Sequence, residues 1–588
     1  MSITTKPSSH PSMPAGPGFQ QRLGLFDATM LVAGSMIGSG IFLVSADIAR
    51  DVGSSGWLML VWIVTGIITV IGALSYAELA AMMPHAGGQY VYLRESYGPL
   101  WGFLYGWTLF LVIQTGTIAA VCVSFAKFLG VFFPEYGTSP KAGADVLYRI
   151  TDLNWNIAFK LPWTPDAVTF YKRDEFIITR GQMVAVAVIA FLTILNCRGV
   201  QYGKVVQNIF TVAKTSALIL LIIVGLTIAA NPVIAQLNTD NLWSGATETV
   251  KYNQIAKIVP TGGLVVVLMV AGGAMVGSLF SADAWANVTF TAGEVQNPRR
   301  NLPLSLIIGA GGVIVLYVLA NIAYLASLPL MSDVPGTRTP QAVKQTVEYA
   351  ESLERSAKEV AADGNETGAD GLVRDATLVR GIAHARDDRV GTAVFELVSP
   401  RYGARFMAVA IMISLFGCAN GLVLMGARLY YAMARDGLFF QPVGQLNDRG
   451  VPAIGLLLQG AWACLLVFSG DYNQLLEYVI FAALLFYALT VTGLFLLRRT
   501  QPNAERPYRA IGYPVLPALY VVLCAAIMLD LLVVKPEYTW PGLIIVCTGI
   551  PVFFAWRGSS PPRLPLPDSP GPRSIPNSEA VQERKQSP

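Results

Sequence analysis

The sequence predicts an all-α integral membrane protein with twelve transmembrane helices. Its 588 residues are 54% hydrophobic and only 13% charged, whereas a soluble chain usually carries about 25% Asp, Glu, Lys and Arg. The mean hydropathy is +0.52, and the apolar residues fall into twelve long runs. This composition excludes a cytosolic enzyme of several compact domains, because so many apolar residues need a hydrophobic solvent around them.

Each apolar run is long enough to cross a bilayer. About 20 apolar residues span a hydrocarbon layer of roughly 30 Å as a helix, and lipid offers no partner to an unpaired backbone group. We expect residues 23–556 to form one domain of such helices. The twelve predicted spans are residues 27–49, 57–83, 98–130, 179–197, 203–230, 262–292, 305–329, 404–434, 451–470, 473–497, 513–534 and 538–556.

The predicted topology places both termini in the cytoplasm. Residues 1–22 are polar and contain no apolar core of signal-peptide length, so we expect an uncleaved, disordered cytoplasmic segment. Lys and Arg are concentrated in short connections on the same side, notably between residues 498 and 509, as the positive-inside rule requires. Residues 557–588 are Pro/Ser-rich and too polar to fold, which predicts a disordered cytoplasmic tail.

Two of the predicted outer connections are long, residues 131–178 and 330–403. The second has apolar residues at helical spacing between Val343 and Val360, followed by a Gly/Asp-rich break from residue 364 to 371. We expect it to form a small amphipathic cap on the extracytoplasmic surface.

Several other kinds of protein are excluded by composition. A net charge of +4 gives no basic stripe for nucleic acid. The six cysteines lie singly and there are three histidines, so we predict no metal site, no disulfide scaffold and no cofactor. The sequence contains no phosphate-binding GxxxxGK loop to use ATP and no pair of catalytic groups at one membrane depth, so we do not expect an enzyme.

Two predicted spans carry residues that interrupt a helix. The first contains GSMIGSG at residues 34–40, and the sixth contains Gly272-Gly273 and then GSLFSADA at residues 277–284. Glycine costs about 1 kcal/mol relative to alanine inside a helix, and unwound backbone at bilayer depth is tolerated only where it lines a cavity or is buried in protein. Two breaks in corresponding spans are typical of inverted-repeat transporters.

Broken helices of this kind offer a binding site for a zwitterion. Half-helices that end at the midplane present free N–H groups at one end and free carbonyls at the other. An α-carboxylate would bind the N–H groups of Ser39, Gly40 and Ile41. An α-ammonium would bind the carbonyls of Met36, Phe280 and Ser281, with Asp283 as a further candidate. The alternative is that small residues such as Gly34 and Gly38 only allow close helix packing.

Five segments resemble signatures of the amino acid-polyamine-organocation superfamily, and within it they are most similar to the L-type amino acid transporters and their bacterial relatives. They occur in the family's order and cover roughly residues 22–556 apart from the two long connections. The segments are GSMIGSGIF at 34–42, YAELAAMMPHAGGQYVYLRE at 76–95, AGEVQNPRRNLP at 292–303, ARLYYAMARDGLF at 427–439 and RPYRAIGYPVLP at 506–517.

The resemblance implies a 5+5 inverted repeat, the LeuT-like arrangement. In it, ten core helices form two inverted five-helix repeats, two further helices are peripheral, and helices 1 and 6 are broken. It also implies sodium-independent secondary active transport of amino acids across the plasma or inner membrane, by proton symport or by exchange. Two alternatives stay open: a polyamine or cationic amino acid transporter, and an amino acid sensor that does not transport.

The resemblance also implies roles for particular residues. Phe280 matches the family's aromatic outer gate, and Trp285 matches a tryptophan that packs beside the substrate. Their alternative role is that of ordinary core aromatic residues. The first-helix residues that match the family's carboxylate and amine site are Met36, Ile37, Ser39, Gly40 and Ile41.

Lys214 is predicted to lie deep in the fifth span. It follows Lys204, at the cytoplasmic edge, by ten residues, or roughly 15 Å at 1.5 Å per residue. A lysine at that depth must either pair or give up its proton. In the family, a fifth-helix lysine here approaches the broken first helix where sodium-coupled relatives bind their ion. We expect Lys214 to link its proton state to the first-helix position; the alternative is a purely structural tie to first-helix carbonyls.

Asp283 departs from the L-type pattern. That branch carries a bulky aromatic residue and two glycines where this chain has Ala282, Asp283 and Ala284. A carboxylate at the midplane must be protonated, paired with a cationic substrate side chain, or turned toward water. We expect it to act in side-chain selection or proton coupling; the alternative is a satisfied helix-end carboxylate.

Two expectations concern partners and gates. L-type transporters of animals bond to a heavy-chain glycoprotein through a loop cysteine, but residues 131–178 contain none, so we expect no disulfide-linked heavy chain. The expected partners are an amino acid and the lipid bilayer. Tyr76 and Glu78, and Glu294 with Arg299, are candidates for cytoplasmic gate contacts.

Overall fold

The computed structural model describes residues 21–559 except 139, 141–142, 154, 160–167, 174, 241, 260–261, 332–339 and 470–471. The described part of the chain is almost entirely helical. The predicted disordered segments fall mainly on residues 1–20 and 560–588, which lie outside the described residues. Residues 557–559, assigned to the tail from sequence, continue the last helix.

Twenty α-helices and four β-strands lie within the described residues. The helices are α1 Leu25–Met36, α2 Gly40–Val52, α3 Ser55–Met82, α4 Gln89–Tyr97, α5 Pro99–Thr108, α6 Gln114–Leu129, α7 Arg180–Cys197, α8 Val200–Thr227, α9 Pro232–Asp240, α10 Val250–Ile258, α11 Gly263–Ser281, α12 Pro298–Ser327, α13 Pro340–Ala362, α14 Glu366–Arg380, α15 Val390–Val398, α16 Gly403–Arg435, α17 Ala453–Leu466, α18 Tyr472–Thr500, α19 Val515–Val534 and α20 Pro536–Ser559. The strands are β1 Val146–Ile150, β2 Trp155–Phe159, β3 Val168–Arg173 and β4 Phe176–Thr179. A π-helical turn, Leu109–Ile113, joins α5 to α6, and a 3-10 helix, Trp285–Glu294, follows α11.

Eleven helical segments of the described chain are long and apolar enough to cross a membrane. They coincide with eleven of the twelve predicted runs, so the protein is a multi-pass membrane protein. The ninth predicted run, residues 451–470, contains α17, which is apolar but only 14 residues long. The count of twelve spans therefore stays a prediction.

Two of the spans are interrupted partway along. In the first, α1 ends at Met36 and α2 begins at Gly40, with Ile37 between them at φ −72° and ψ 88°. In the sixth, α11 ends at Ser281, and Ala284 adopts a left-handed conformation at φ 66° before the 3-10 helix begins. Both turns take peptide groups out of the helical hydrogen-bond ladder, so other groups must satisfy them.

The interruption of the sixth span is narrower than predicted. Gly272 and Gly273 were expected to belong to it, but they lie inside the continuous α11. A Cβ atom on Gly272 would overlap Asp530 Oδ2, and one on Gly273 would lie 2.8 Å from Val534 Cγ1. The prediction was wrong here because these glycines admit a neighbouring helix, α19, rather than unwinding their own.

The halves of the two interrupted spans pack together in pairs. α2 packs against α11, and α1 packs against the 3-10 helix Trp285–Glu294. Main-chain bonds reinforce the second pair: the N–H groups of Arg22 and Leu23 both donate to the Glu294 carbonyl at 2.9 Å, and Gln296 N donates to the Leu23 carbonyl at 2.8 Å. We call these three bonds the Leu23 strap. The pairing brings the two unwound turns side by side.

The first long connection contains strands that the sequence reading missed, and the second contains the predicted helix, as α13, together with α14, which was not predicted. In residues 131–179, β1 pairs antiparallel with β4 and β2 with β3, so the described chain is not purely α-helical. In residues 330–403, α13 and α14 pack on each other as a hairpin. The predicted break after α13 is limited to residues 363–365, because α14 begins at Glu366 and is capped by the Asn365 side chain.

Glu294 pairs with a different arginine from the one expected. Its Oε1 atom lies 3.2 Å from Arg428 Nε, and both side chains are almost completely buried. Arg299 instead pairs with Glu505 at 2.8 Å, on the surface. The expected contact between Glu294 and Arg299 is therefore wrong: the carboxylate turns toward the interior, where α16 supplies the cation.

Glu294→Gln should lower the apparent melting temperature, because it leaves the Arg428 guanidinium charged and unpaired in the interior. Removing one partner of a buried ion pair costs about 3–5 kcal/mol. Arg299→Ala, which breaks the exposed pair with Glu505, should cost about 0–1 kcal/mol. Thermal unfolding of the purified variants in detergent measures both effects. Equal shifts in the two variants would contradict this account.

Candidate functional site

The two unwound turns meet where α2 begins and α11 ends. A Cβ atom on Gly40 would overlap Ser281 Oγ and would lie 2.6 Å from Ser281 Cβ, so no residue larger than glycine fits at position 40 without a shift. Gly40 and Ile41 open α2, and the first residues of a helix have no intrahelical acceptor for their N–H groups. The N-terminal end of one half-helix thus lies directly against the C-terminal end of the other.

A tyrosine hydroxyl bridges the C-terminal ends of α1 and α11. Tyr317, on α12, approaches the Met36 carbonyl at 2.9 Å and the Ser281 carbonyl at 3.1 Å. These are two of the carbonyls predicted to bind an ammonium group. A hydroxyl has one proton to donate, so the two carbonyls share it. The sequence reading missed Tyr317, although a tyrosine inside an apolar run signals a hydroxyl that needs a buried partner.

Lys214 is completely buried and reaches the unwound turn of the first span. Its Nζ atom donates to the Ile37 carbonyl at 3.0 Å, to the Ser414 carbonyl at 3.4 Å and to the Gly34 carbonyl. An ammonium group has three protons to donate, and three carbonyls receive them. Ser414 Oγ also donates to the Ile37 carbonyl, at 3.2 Å. Lys214 therefore ties α8 and α16 to the end of α1.

Asp283 lies in the unwound turn of the sixth span and is buried. The Tyr487 hydroxyl donates to Asp283 Oδ1 at 2.6 Å. The ring of Tyr487 stacks on Trp285, with centroids 5.4 Å apart, and Tyr76 meets Trp285 edge-on at 4.9 Å. Tyr76 was a candidate for a cytoplasmic gate contact, but its ring belongs to this aromatic cluster. Tyr487 thus links the Asp283 carboxylate to the aromatic cluster.

A narrow cavity opens beside Asp283. Its volume of about 10 Å³ leaves room for roughly one water molecule, far below the roughly 300 Å³ or more of typical ligand pockets. Its lining includes Asp283 but none of the other predicted substrate-binding residues. The lining residues are Tyr105, Leu109, Ile113, Gln114, Thr117, Asp283, Ala284, Asn287, Leu422, Ala483 and Tyr487. The cavity beside Asp283 is therefore too small to hold an amino acid in this conformation.

The wall of this cavity contains an amide pair that the sequence reading also missed. Asn287 Nδ2 donates to Gln114 Oε1 at 3.1 Å, and Gln114 Nε2 donates to the Leu422 carbonyl at 2.8 Å. The pair joins the third, sixth and eighth spans. Phe280, the predicted gate, is buried at the last turn of α11.

The fold and the paired interruptions define a class, a helical multi-pass membrane protein with two half-helix pairs at its centre. A family model described as amino acid permease matches residues 23–351 and 380–553. The chain belongs to this amino acid permease family. The matched residues omit 352–379, which form most of the hairpin of α13 and α14.

Individual relatives agree with the family assignment and confirm the resemblance to L-type transporters. The chain is 28% identical over 551 residues to the b(0,+)-type amino acid transporter 1 of Homo sapiens, covering 92% of this chain and 89% of that protein. The same transporter of Mus musculus is 26% identical over 551 residues, with 93% and 90% covered. The large neutral amino acids transporter small subunit 2 of Homo sapiens is 27% identical over 542 residues, with 92% and 81% covered.

Gly40→Ala should lower the apparent affinity for substrate about tenfold or more. The added Cβ atom meets Ser281 Cβ, which no side-chain rotation removes; overpacking costs about 1–3 kcal/mol, and 1.4 kcal/mol is tenfold in affinity. The matched control is Gly311→Ala on α12, where an added Cβ atom meets nothing within 4 Å. Concentration-dependent amino acid uptake into proteoliposomes measures both variants. Unchanged uptake by Gly40→Ala would show that substrate does not bind at this junction.

Proposed function

We propose that the protein transports amino acids across the cell membrane by alternating access. The observation that carries the proposal is the junction of the two unwound turns, where the start of α2 abuts the end of α11 at Gly40 and Ser281. Supporting it are the family match and the amino acid transporters among the relatives. The complete arrangement we propose has twelve spans in a 5+5 inverted repeat, with both termini cytoplasmic.

The substrate's zwitterion would bridge the two half-helix pairs. Its α-carboxylate would accept hydrogen bonds from the N–H groups at the start of α2, at Ser39, Gly40 and Ile41. Its α-ammonium would donate to the Met36 and Ser281 carbonyls, which now receive the Tyr317 hydroxyl. Substrate and hydroxyl therefore compete for the same acceptors. Admission of a substrate would involve displacement of Phe280, which is buried at the last turn of α11.

Sodium independence is supported by the position of Lys214. Its ammonium group donates to the carbonyls of Gly34, Ile37 and Ser414, which belong to the first and eighth spans. A fixed cation on these oxygens replaces the charge that a bound metal ion would supply there. Loss of the Lys214 proton would release these carbonyls, so proton state and first-helix position are linked in the proposal. Proton symport and exchange both fit this link.

Asp283 favours substrates with a cationic side chain. Its Oδ1 atom accepts from Tyr487, and the same carboxylate lines the narrow cavity. A cation entering an enlarged cavity would pair with a desolvated carboxylate, an interaction worth about 1.5–3 kcal/mol. Lysine or arginine, and by the same chemistry a polyamine, would then bind in addition to neutral amino acids.

Counterflow in proteoliposomes tests the proposed activity. Vesicles loaded with unlabelled leucine or lysine should accumulate the labelled amino acid from outside, and replacement of sodium by choline should leave the rate unchanged. A protein that binds these amino acids but moves no label would be a sensor and would contradict the transport proposal. Loss of counterflow in choline would contradict sodium independence alone.

Asp283→Asn should raise the KM for lysine by about 10-fold or more and change the KM for leucine far less, because only the cationic side chain loses its counter-charge. Tyr487→Phe is the matched control, since it removes the hydroxyl and keeps the carboxylate. It should retain the preference for lysine. Competition between labelled lysine and leucine in counterflow measures both variants, and equal losses for the two substrates in Asp283→Asn would contradict the assignment.

A further inference from the structure

Asp530 is a carboxylate inside the eleventh span that has no role in the site described above. It lies on α19, four positions before Val534, the last residue of that helix. Both of its carboxyl oxygens are buried, and neither has a hydrogen-bond partner among the described residues. An ionised carboxylate in apolar surroundings without a partner is costly. The Asp530 carboxylate therefore requires either a bound cation or a proton to neutralise its charge.

The helix that faces Asp530 is shaped to receive it. α11 packs against α19, and Gly272 on α11 leaves the space that Asp530 Oδ2 fills, since a Cβ atom there would overlap that oxygen. Gly273 makes the same kind of room for Val534, one turn further along α19. The glycine pair is thus a recess for the eleventh span, and the side chains of Asp530 and Val534 pack against it.

Few charges act on this carboxyl group. The sequence of α11 contains no ionisable residue, and the ionisable residues of α3, Tyr76 and Glu78, lie near its other end. Lys251 on α10 is the cation whose charge reaches Asp530. Beyond these, α18 carries Glu477 in its second turn and Arg498 and Arg499 in its last turn, and α20 carries Glu537 in its first turn and Arg557 in its last turn. Neither carboxyl oxygen of Asp530 has a cation within hydrogen-bond distance among the described residues.

We propose that Asp530 is a proton-binding site that holds α19 against the outer half of the sixth span. A proton is the ligand that removes the charge without needing space, and Asp530 Oδ2 already lies where a Cβ atom on Gly272 would be. Loss of the proton places an unpaired charge in the contact between α19 and α11. Because α11 ends at Ser281, the proton on Asp530 stabilises the half-helix that borders the unwound turn. This inference rests on the packing and does not depend on transport.

The test compares wild type with Asp530→Asn, whose amide has the shape of the neutral acid. Apparent melting temperatures of the full-length protein in detergent are measured between about pH 5 and pH 9. The wild type should lose about 2 °C or more relative to Asp530→Asn as the pH rises, because stability that depends on a bound proton is present at low pH and is lost at high pH. The two proteins should melt together at the acid end. Parallel profiles across the whole range would overturn the proposal.

A second measurement covers the case in which Asp530→Asn does not fold. Dicyclohexylcarbodiimide reacts with protonated carboxyl groups in apolar surroundings, so it should label Asp530 of the wild type at neutral pH, and labelling should fall as the pH rises. Mass spectrometry of the peptide locates the label. Absence of labelling at every pH would count against a bound proton. Stabilisation of the wild type at high pH by sodium or potassium chloride, but not by N-methylglucamine chloride, would overturn it in favour of a metal cation.

Discussion

The structure depends on one constraint: backbone groups that leave a helix inside a membrane must find partners within the protein. The two unwound turns release carbonyls at Met36, Ile37 and Ser281, and side chains of neighbouring spans bind them. The donors come from three different helices. They are Lys214 on α8, Tyr317 on α12 and Ser414 on α16. α8, α12 and α16 therefore do more than exclude lipid from the turns. Each contributes a polar group at the depth where the helical hydrogen bonds are interrupted.

Much of this arrangement follows from the sequence. Composition and run length predict the spans, and small residues at 34–40 and 277–284 indicate where the interruptions lie. Depth predicts that Lys214 must pair or lose its proton, and the resemblance to the L-type transporters implies its approach to the first helix. Partners distant along the chain could not be found in this way. Tyr317 resembles any tyrosine in an apolar run, and the cation beside Glu294 is 134 residues away. The glycines at 272–273 misled the sequence reading because glycine serves both unwinding and close packing, and only the neighbouring helix decides which.

The region of Asp283 departs from what the resemblance to the L-type transporters implies. That resemblance implies glycines at positions 283 and 284, whereas this chain has a carboxylate and then an alanine in the left-handed conformation there. The carboxylate is accommodated because Tyr487 donates to it and the ring of the same tyrosine stacks on Trp285. The charge and the aromatic rings thus lie together, next to a cavity of about 10 Å³.

The Leu23 strap joins α1 to the 3-10 helix Trp285–Glu294, so that these two half-helices form one unit. Its three hydrogen bonds run between main-chain atoms of residues 22–23 and 294–296, so they do not depend on the identity of any side chain. α1 and the 3-10 helix Trp285–Glu294 are bonded to each other at the ends that lie away from the unwound turns. The unwound turns are therefore the places where the two spans can bend. In the proposed transport cycle, a movement of α1 would therefore carry the 3-10 helix with it, and the two unwound turns would change together rather than one after the other.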